Sequence, residues 1–523
     1  MLKRLFRPSF VDLIFTALMA WLFILRPKGW SQLLSDGDTG WHIRTGEWIL
    51  KNRQVPYQDL FSFTRPGAEW FAWEWASDIL FAVLHSLGGL PLLVFFCGFL
   101  LIGTSVVALR WMMWRGASVL VAFPLMMLAV GGSTMHYLAR PHVFTLLFLV
   151  LELWLLDSER RNPSRKIWLL VPLAMLWTNL HGGWPALFVF LGIQIAARLI
   201  YRDPLWRKEL LVAFACAAAT LANPYGWHLH RHIFGYLQSS WIRDMVDEFQ
   251  SPKFRSENLL QFEALLILGI ASAWGRAFRG FAGLTEAAGV WVWAHLALGA
   301  VRHAPIFILA ACPVIATELT LLLESFWQAA KRSSLPGIFR DLDSDLRPKF
   351  AVNSAWAFLL PVLLCLFVPH ELPHDFPETS FPVVAANTLG DRLQGQKILT
   401  SDQWGDYLIY RFWPATKVFI DGRSDFYGPE LGRQYLAMVN GSPSWRRHFA
   451  EHRIDFVLLP RVSDLGGQLE RDPDWQTIHS DTLSIAFARR SPNRPDSDSA
   501  SLFSPSRLME APLSSEGIRE NCQ

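Results

Sequence analysis

Long apolar stretches with almost no charge recur along the chain and alternate with short polar connections. Stretches of roughly 16–20 residues are close to the length that an α-helix needs to cross a bilayer. They must be helical, because backbone groups in a bilayer have no water to bond. The pattern predicts about eleven spans, near residues 10–25, 88–109, 117–133, 142–157, 167–180, 184–200, 209–222, 259–275, 283–300, 304–326 and 351–369.

Lysine and arginine are concentrated in alternate connections, and this bias predicts the orientation of the chain. Residues 160–166 and 331–349, for example, carry four and five such residues. The short connections between the basic ones carry only Arg140 and Arg302. We therefore expect a bacterial inner-membrane protein whose N-terminus is cytoplasmic and whose long segments lie outside. Those segments are 26–87, 223–258 and 370–523.

The predicted fold is mainly α: a polytopic transmembrane helical bundle over residues 1–369, which includes the outer loops 26–87 and 223–258. Strand and helix patterns alternate over residues 370–490, which predicts a small extracytoplasmic α/β domain. Its predicted strands are Lys397–Thr400, Val418–Ile420 and Asp455–Leu459. Residues 491–523 are rich in Ser, Pro and Asp, which predicts a disordered tail.

Composition supports the membrane assignment. Charged residues make up 18% of the 523 residues, against about 25% in a typical soluble domain. This excludes a soluble globular enzyme and a largely disordered chain. The net charge of +3 gives no general affinity for nucleic acid. The 25 Trp residues fit a protein with many membrane–water boundaries.

The first outer loop carries two acids, Asp36 and Asp38, before an amphipathic helix that we expect to lie in the membrane interface. One interpretation is that Asp38 only caps this helix. The other is that the two carboxylates serve as a general base or hold a divalent cation, Mg²⁺ or Mn²⁺. His42, on the same helix, is a candidate substrate contact.

Further acids flank aromatic residues or turns. Glu74 stands between Trp73 and Trp75, where indole rings can stack on a sugar, although an acid at the start of a helix is the simpler interpretation. Asp247 and Glu248 precede a turn and are candidate acceptor contacts, or merely the end of a helix. In the C-terminal segment, Asp421 and Arg423 either contact a glycan or pair with each other.

Cations and imidazoles end several predicted spans on the outer side. A single Arg or His at such a position is usually a packing or snorkelling residue. Ionisable groups at this depth are costly, however, and a set on one side of the membrane indicates a site. Such donors suit a lipid-linked phosphate. The candidates are Arg140, His142, His181, Arg302 and His303.

With these features the chain resembles the GT-C superfamily of integral-membrane glycosyltransferases, and within it a group of bacterial proteins of unassigned substrate. The matching strings include DGDTGWHIRTGEWIL, WEWASDILF, ARPHVFTLLF, NLHGGW, VRHAPIFILA and SDQWGDYLIYRFWPATKVFIDGRSDFYG. The resemblance implies transfer of a sugar from a polyprenyl-phosphate donor, with Asp38 or Asp36 as base or metal ligand. Trp73 stands where the family pattern would have His, so that His role is lost.

The expected function is therefore an inverting transfer of sugar to an acceptor hydroxyl of a glycan, lipid or protein in the cell envelope. Two alternatives stay open: a flippase or transporter of lipid-linked glycans, and a non-catalytic scaffold of the same fold. A transporter should place ionisable groups near the bilayer midplane. An enzyme should gather them in one outer cavity.

Overall fold

The computed structural model describes residues 9–26, 29–255, 257–328, 330–350, 356 and 373–490. The predicted span 351–369, except Trp356, and the predicted tail 491–523 lie outside the described residues. The described chain is mostly helical, and its strands all lie in the C-terminal part.

Ten of the helices described in the first 350 residues overlap the ten stretches predicted there, and four others lie in the connections. The longest, α3, bends at Gly88 and Gly89, where the φ angle of Gly89 is +65°, a conformation that glycine adopts without penalty. The helices are α1 (Phe10–Ala20), α2 (Asp38–Asn52), α3 (Trp75–Trp114), α4 (Val119–Ser133), α5 (His142–Arg161), α6 (Leu170–Leu180), α7 (Pro185–Ile200), α8 (Trp206–Thr220), α9 (Trp227–Gln238), α10 (Ser240–Met245), α11 (Glu257–Ala277), α12 (Gly280–Gly299), α13 (Ala304–Gln328) and α14 (Leu335–Phe350).

Among the described residues, five helical stretches are long and apolar enough to cross a membrane, as expected of a multi-pass membrane protein. They are Trp75–Trp114, Val119–His136, Leu259–Ala277, Gly280–Gly299 and Val301–Gln328. Helices α6 to α8 have 11 to 16 residues. Sixteen helical residues extend about 24 Å, less than the roughly 30 Å hydrocarbon core. The predicted number of eleven spans therefore stays a prediction.

The C-terminal part contains a five-stranded sheet of order β2-β1-β3-β5-β4. The first three strands in this order are parallel, and β5 and β4 continue the sheet antiparallel. The elements are α15 (Val383–Leu393), β1 (Lys397–Leu399), α16 (Asp402–Phe412), β2 (Lys417–Val418), α17 (Ser424–Val439), α18 (Trp445–His452), β3 (Phe456–Pro460), α19 (Asp464–Leu469), β4 (Trp475–Ser480) and β5 (Ser484–Arg489).

Two predicted strands are confirmed as β1 and β3, and the third, Val418–Ile420, overlaps the two-residue strand β2 only at Val418. The sequence analysis missed β4 and β5. Strand β4 at the sheet edge is mostly polar and largely exposed, so it lacks the apolar signal on which the prediction depended. The boundaries of a separate outer domain stay a prediction.

The first outer loop extends the sheet beyond β2. The amide of Phe63 donates to the carbonyl oxygen of Val418 at 3.1 Å, and the amide of Val418 donates to that of Phe61 at 3.2 Å. The first outer loop and the C-terminal part are thereby joined in one sheet, and this sheet holds α2 in place.

Helix α2 confirms the predicted helix but not its placement at a membrane surface, because both its faces are covered. A Cβ atom on Gly46 would lie 1.9 Å from the carbonyl oxygen of Asp78 in α3. A Cβ atom on Gly40 would lie 2.7 Å from the carbonyl oxygen of Asp406 in α16. Glycine at both positions allows α2 to fit between these two helices, which positions the acids at its start.

Candidate active site

Two cavities lie at the end of the bundle that carries the C-terminal part. The first, the polar chamber, has a volume of about 610 Å³ and is bounded by the first outer loop, α9, α10 and the segment around Asp421. The second, the apolar groove, has about 650 Å³ between α5, α7, α12 and α13. The two cavities share part of their walls and therefore meet. The shared residues are Arg140, His181, Gly182, Leu237, Glu248 and Arg302.

Arg140 connects three carboxylates at the wall of the polar chamber. One guanidinium nitrogen, Nη1, lies 2.7 Å from Asp36 Oδ2 and 2.9 Å from Glu248 Oε1. The other, Nη2, lies 2.6 Å from Asp38 Oδ2. Two segments that are far apart in sequence, around Asp36 and around Glu248, therefore converge on one cation.

Asp36, not Asp38, caps α2. The amide of Asp38 donates to Asp36 Oδ1 at 2.9 Å, and the N-cap residue of the helix is Gly37. The interpretation of Asp38 as a simple N-cap is therefore wrong. Its carboxylate faces Arg140 instead.

The Asp38 carboxyl has an environment that suits proton transfer. Burial raises its pKa to about 7, against the opposing effect of the Arg140 guanidinium. Its Oδ1 atom is buried and has no hydrogen-bond partner among the described residues. A Cβ atom on Gly422 would lie 2.1 Å from this oxygen, so glycine is needed there. A base with a pKa near the working pH is the most effective one.

Glu74 lies on the wall of the chamber and is flanked by two imidazoles. Its carboxylate oxygens are each 3.4 Å from an Nε2 atom, Oε2 from that of His42 and Oε1 from that of His181. Behind it, His42 Nδ1 lies 2.6 Å from Asp78 Oδ1. Burial raises the pKa of Glu74 to about 8, so this acid is largely protonated at neutral pH and can donate a hydrogen bond.

Where the two cavities meet, at a place we call the junction, a second cation, Arg302, has free hydrogen-bond donors. Arg302 Nη1 donates to the Tyr236 hydroxyl at 3.1 Å, and its guanidinium carbon is 4.3 Å from the centroid of the Phe249 ring. No carboxylate of the described residues forms an ion pair with Arg302. Unlike Arg140, it therefore keeps donors available for an anion.

The structure brings most of the predicted site residues together. His142 and His303 line the apolar groove, where His142 Nε2 bonds to the carbonyl oxygen of His136 at 2.6 Å. His42 and Trp75 line neither cavity, since His42 lies behind Glu74 and the Trp75 indole donates to Asn179 Oδ1 at 2.8 Å. Of the predicted site residues, those that line the polar chamber are Asp36, Asp38, Trp73, Glu74, Arg140, His181, Asp247, Glu248 and Arg302.

The C-terminal part contributes a wall that the sequence analysis predicted only in outline. Asp421 and Arg423 do pair, with Arg423 Nε 2.8 Å from Asp421 Oδ1. The same guanidinium also reaches Asp59 of the first outer loop, with Nη2 2.7 Å from its Oδ1. Asp402 and Gln403 line the chamber as well. The sequence could have indicated these two residues, because they begin α16 directly after strand β1.

A divalent cation stays a prediction. Within the described ranges, no group of three or more His, Cys, Asp or Glu side chains is arranged to hold a metal. The guanidinium of Arg140 lies between Asp36 and Asp38, so this arrangement does not present both carboxylates to a cation. No step below depends on one.

Neither a protein-family model nor a curated protein sequence matches this chain. Solved structures do match its fold. The oligosaccharyltransferase of Archaeoglobus fulgidus, tethered with an acceptor peptide, has a TM-score of 0.57 and 12% identity, over 93% of this chain and 74% of that chain. The archaeal oligosaccharyltransferase AglB from A. fulgidus, in complex with an inhibitory peptide and a dolichol-phosphate, has a TM-score of 0.55 and 13% identity, over 93% and 75%.

A third match is the arabinofuranosyltransferase AftD from Mycobacteria. Its TM-score is 0.50 and its identity 12%, over 94% of this chain and 41% of the longer AftD chain. At these identities the likeness concerns the fold. The chain shares the fold of these solved glycosyltransferases, which agrees with the fold that the sequence resemblance implied.

Proposed function

We propose that this protein is a membrane glycosyltransferase that moves a sugar from a polyprenyl-phosphate-linked donor to an acceptor hydroxyl on the outer face of the bacterial cytoplasmic membrane. The observation that carries the proposal is the meeting of a polar chamber with an apolar groove at Arg140, His181 and Arg302. A lipid-linked sugar needs both environments side by side. A transporter would instead need its polar groups near the bilayer midplane.

The donor lies across the junction. The part of the lipid tail next to the phosphate occupies the apolar groove, and the sugar projects into the polar chamber. The phosphate lies at Arg302, whose free donors suit an anion. His181 and His303 lie on the same groove and add further donors, whereas the Nε2–H of His142 is already donated to the carbonyl oxygen of His136. The dolichol-phosphate bound to AglB, a protein of the same fold, supports this class of donor.

Asp38 is the general base. It takes the proton from the acceptor hydroxyl as the acceptor oxygen forms a bond to the anomeric carbon, while the bond from that carbon to the phosphate oxygen breaks. A single displacement of this kind inverts the anomeric carbon. Arg140 holds the Asp38 carboxylate in place, and Arg302 stabilises the charge that develops on the leaving phosphate.

The acceptor enters the polar chamber from the side opposite the groove. Trp73, Asp247 and the residues around Asp421 line the chamber but not the groove. Aromatic faces and carboxylates of this kind bind hydroxyl-rich molecules by stacking and hydrogen bonding. We place the N-terminus in the cytoplasm and the C-terminal part outside, according to the distribution of Lys and Arg.

The first test is mass spectrometry of lipids that co-purify with the protein, followed by transfer assays with the donor class that it identifies. We expect Asp38→Asn to abolish transfer while donor binding persists. Arg302→Ala should weaken donor binding. Full transfer by both Asp38→Asn and Asp36→Asn would remove the proposed base, and unchanged donor affinity in Arg302→Ala would place the phosphate elsewhere.

A further inference from the structure

Helix α14 carries an unpartnered apolar stripe. Leu335, Ile338, Phe339 and Leu342 follow the i, i+3, i+4, i+7 spacing that places side chains on one helical face. They are 66%, 55%, 43% and 42% exposed, respectively. Four large apolar side chains on one helical face are not left exposed to water, so this face contacts lipid or another apolar surface.

Beside the stripe, α14 is tied to the start of a membrane-crossing helix through Asp343, four residues after Phe339. The buried carboxylate of Asp343 accepts hydrogen bonds at Oδ1 from the Ser118 hydroxyl at 2.7 Å and from the Val119 amide at 2.8 Å. Val119 is the first residue of α4 and of a stretch long and apolar enough to span the membrane. Helix α14 therefore lies at the level where a spanning helix begins, which is the membrane surface.

That surface is the one opposite the cavities. The stretch Val119–His136 has 18 residues, which extend about 27 Å, close to the thickness of the hydrocarbon core. Its far end, His136, lines the apolar groove. Helix α14 and the groove thus lie at opposite ends of the same spanning stretch.

The segment also carries a small excess of positive charge, with five Lys or Arg and three Asp over residues 331–350, and Arg332 Nε lies 3.9 Å from Asp341 Oδ2. Lys331 and Arg332 precede α14 as exposed residues, and Lys349 is exposed near its end. The Arg332 side chain is 88% exposed. An apolar stripe with flanking cations is the pattern of a helix that lies in the headgroup region of a membrane rich in anionic lipids.

We propose that α14 is an interfacial helix, with its apolar stripe inserted between lipid headgroups of the leaflet opposite the cavities and with Lys331 and Arg332 bound to anionic phospholipids. The carboxylate of Asp343 couples this helix to the N-terminus of α4. The inference is independent of the proposed enzymatic activity.

Photo-crosslinking of the full chain in nanodiscs of phosphatidylcholine and phosphatidylglycerol tests the proposal. The crosslinking residue p-benzoylphenylalanine replaces Ile338 or Leu342 on the stripe, or the exposed Ser344 on the opposite face. Ile267, 64% exposed on the spanning helix α11, is the positive control for lipid adducts. We expect lipid adducts at positions 338 and 342 comparable to those at 267, and several-fold fewer at 344.

A second variant separates lipid contact from charge recognition. With the crosslinker at 338, Lys331→Gln with Arg332→Gln should lower the share of phosphatidylglycerol among the adducts several-fold. Adducts to a second copy of this chain, or lipid adducts at 267 but not at 338, would overturn the proposal. An unchanged lipid ratio in the double variant would overturn the anionic preference.

Discussion

Replacing Arg140 by Gln removes the cation on which Asp36, Asp38 and Glu248 converge at 2.6 to 2.9 Å. Removing one partner of a buried ion pair costs about 3–5 kcal/mol, because the other charge stays buried. The Arg140 side chain is 24% exposed, so we expect the lower end of this range, about 3 kcal/mol at pH 8.

The loss of stability in Arg140→Gln should depend on pH, and the ionisation of the carboxylates decides in which direction. Burial opposes ionisation of Glu248, but Arg140 and Arg302 outweigh it and hold its pKa below the usual range. The stabilisation from ionised Glu248 is fully present above the pKa of Glu in the unfolded chain, about 4.3. It is lost as the pH falls through the lower pKa that Glu248 has in the folded protein. Without Arg140, the pKa of Asp38 should also rise above about 7. The deficit should therefore persist near pH 4, shrink only in stronger acid as Glu248 of the wild type becomes protonated, and grow towards pH 8 as Asp38 of the wild type ionises.

Thermal unfolding in nanodiscs between pH 4 and pH 8, followed by tryptophan fluorescence, measures this effect. The matched control is Arg392→Gln, which removes an exposed arginine of α15 and should cost less than about 0.5 kcal/mol. A deficit that is the same at pH 4 and pH 8, or no larger than that of the control, would refute the assignment of Arg140 as the organising cation.

Three further predictions follow from the site. The kcat/KM of transfer should rise with pH through an apparent pKa of about 7, since Asp38 must be ionised to act as base; a flat profile from pH 5 to pH 8 would contradict this role. Arg423→Met should cost about 3–5 kcal/mol of unfolding free energy, because Asp59 and Asp421 lose their buried partner; wild-type thermal stability would show that this pairing is dispensable. Gly46→Ala should destabilise by about 1–3 kcal/mol through its contact with α3, whereas Gly192→Ala, which meets open space, should not.

Much of the architecture could be predicted because apolar stretches and turn residues are local signals. The apolar helices and the strands β1 and β3 were predicted from such patterns. The placement of α2 was not, because it depends on close approach at Gly40 and Gly46 to helices far away in sequence. The amphipathic pattern of α2 predicted a surface helix, whereas burial by two partners decides its position.

The candidate site was predictable in its residue types but not in its pairings. The outer ends of the spans correctly indicated Arg140, His181 and Arg302 as a group. The sequence does not distinguish Arg140, which is bound by three carboxylates, from Arg302, which keeps free donors, because that difference arises from side chains brought together in three dimensions. The contribution of Asp402 and Gln403 depends likewise on how the C-terminal part docks on the first outer loop.

The central claim is that a lipid phosphate binds where the polar chamber meets the apolar groove. The most direct measurement is a cryo-electron microscopy structure of the full chain in nanodiscs with added undecaprenyl phosphate. The account predicts phosphate density against the Arg302 guanidinium and next to His181, with the lipid tail leading into the groove, and loss of this density in Arg302→Ala. Phosphate density at another surface, with the junction empty in the wild type, would contradict the account.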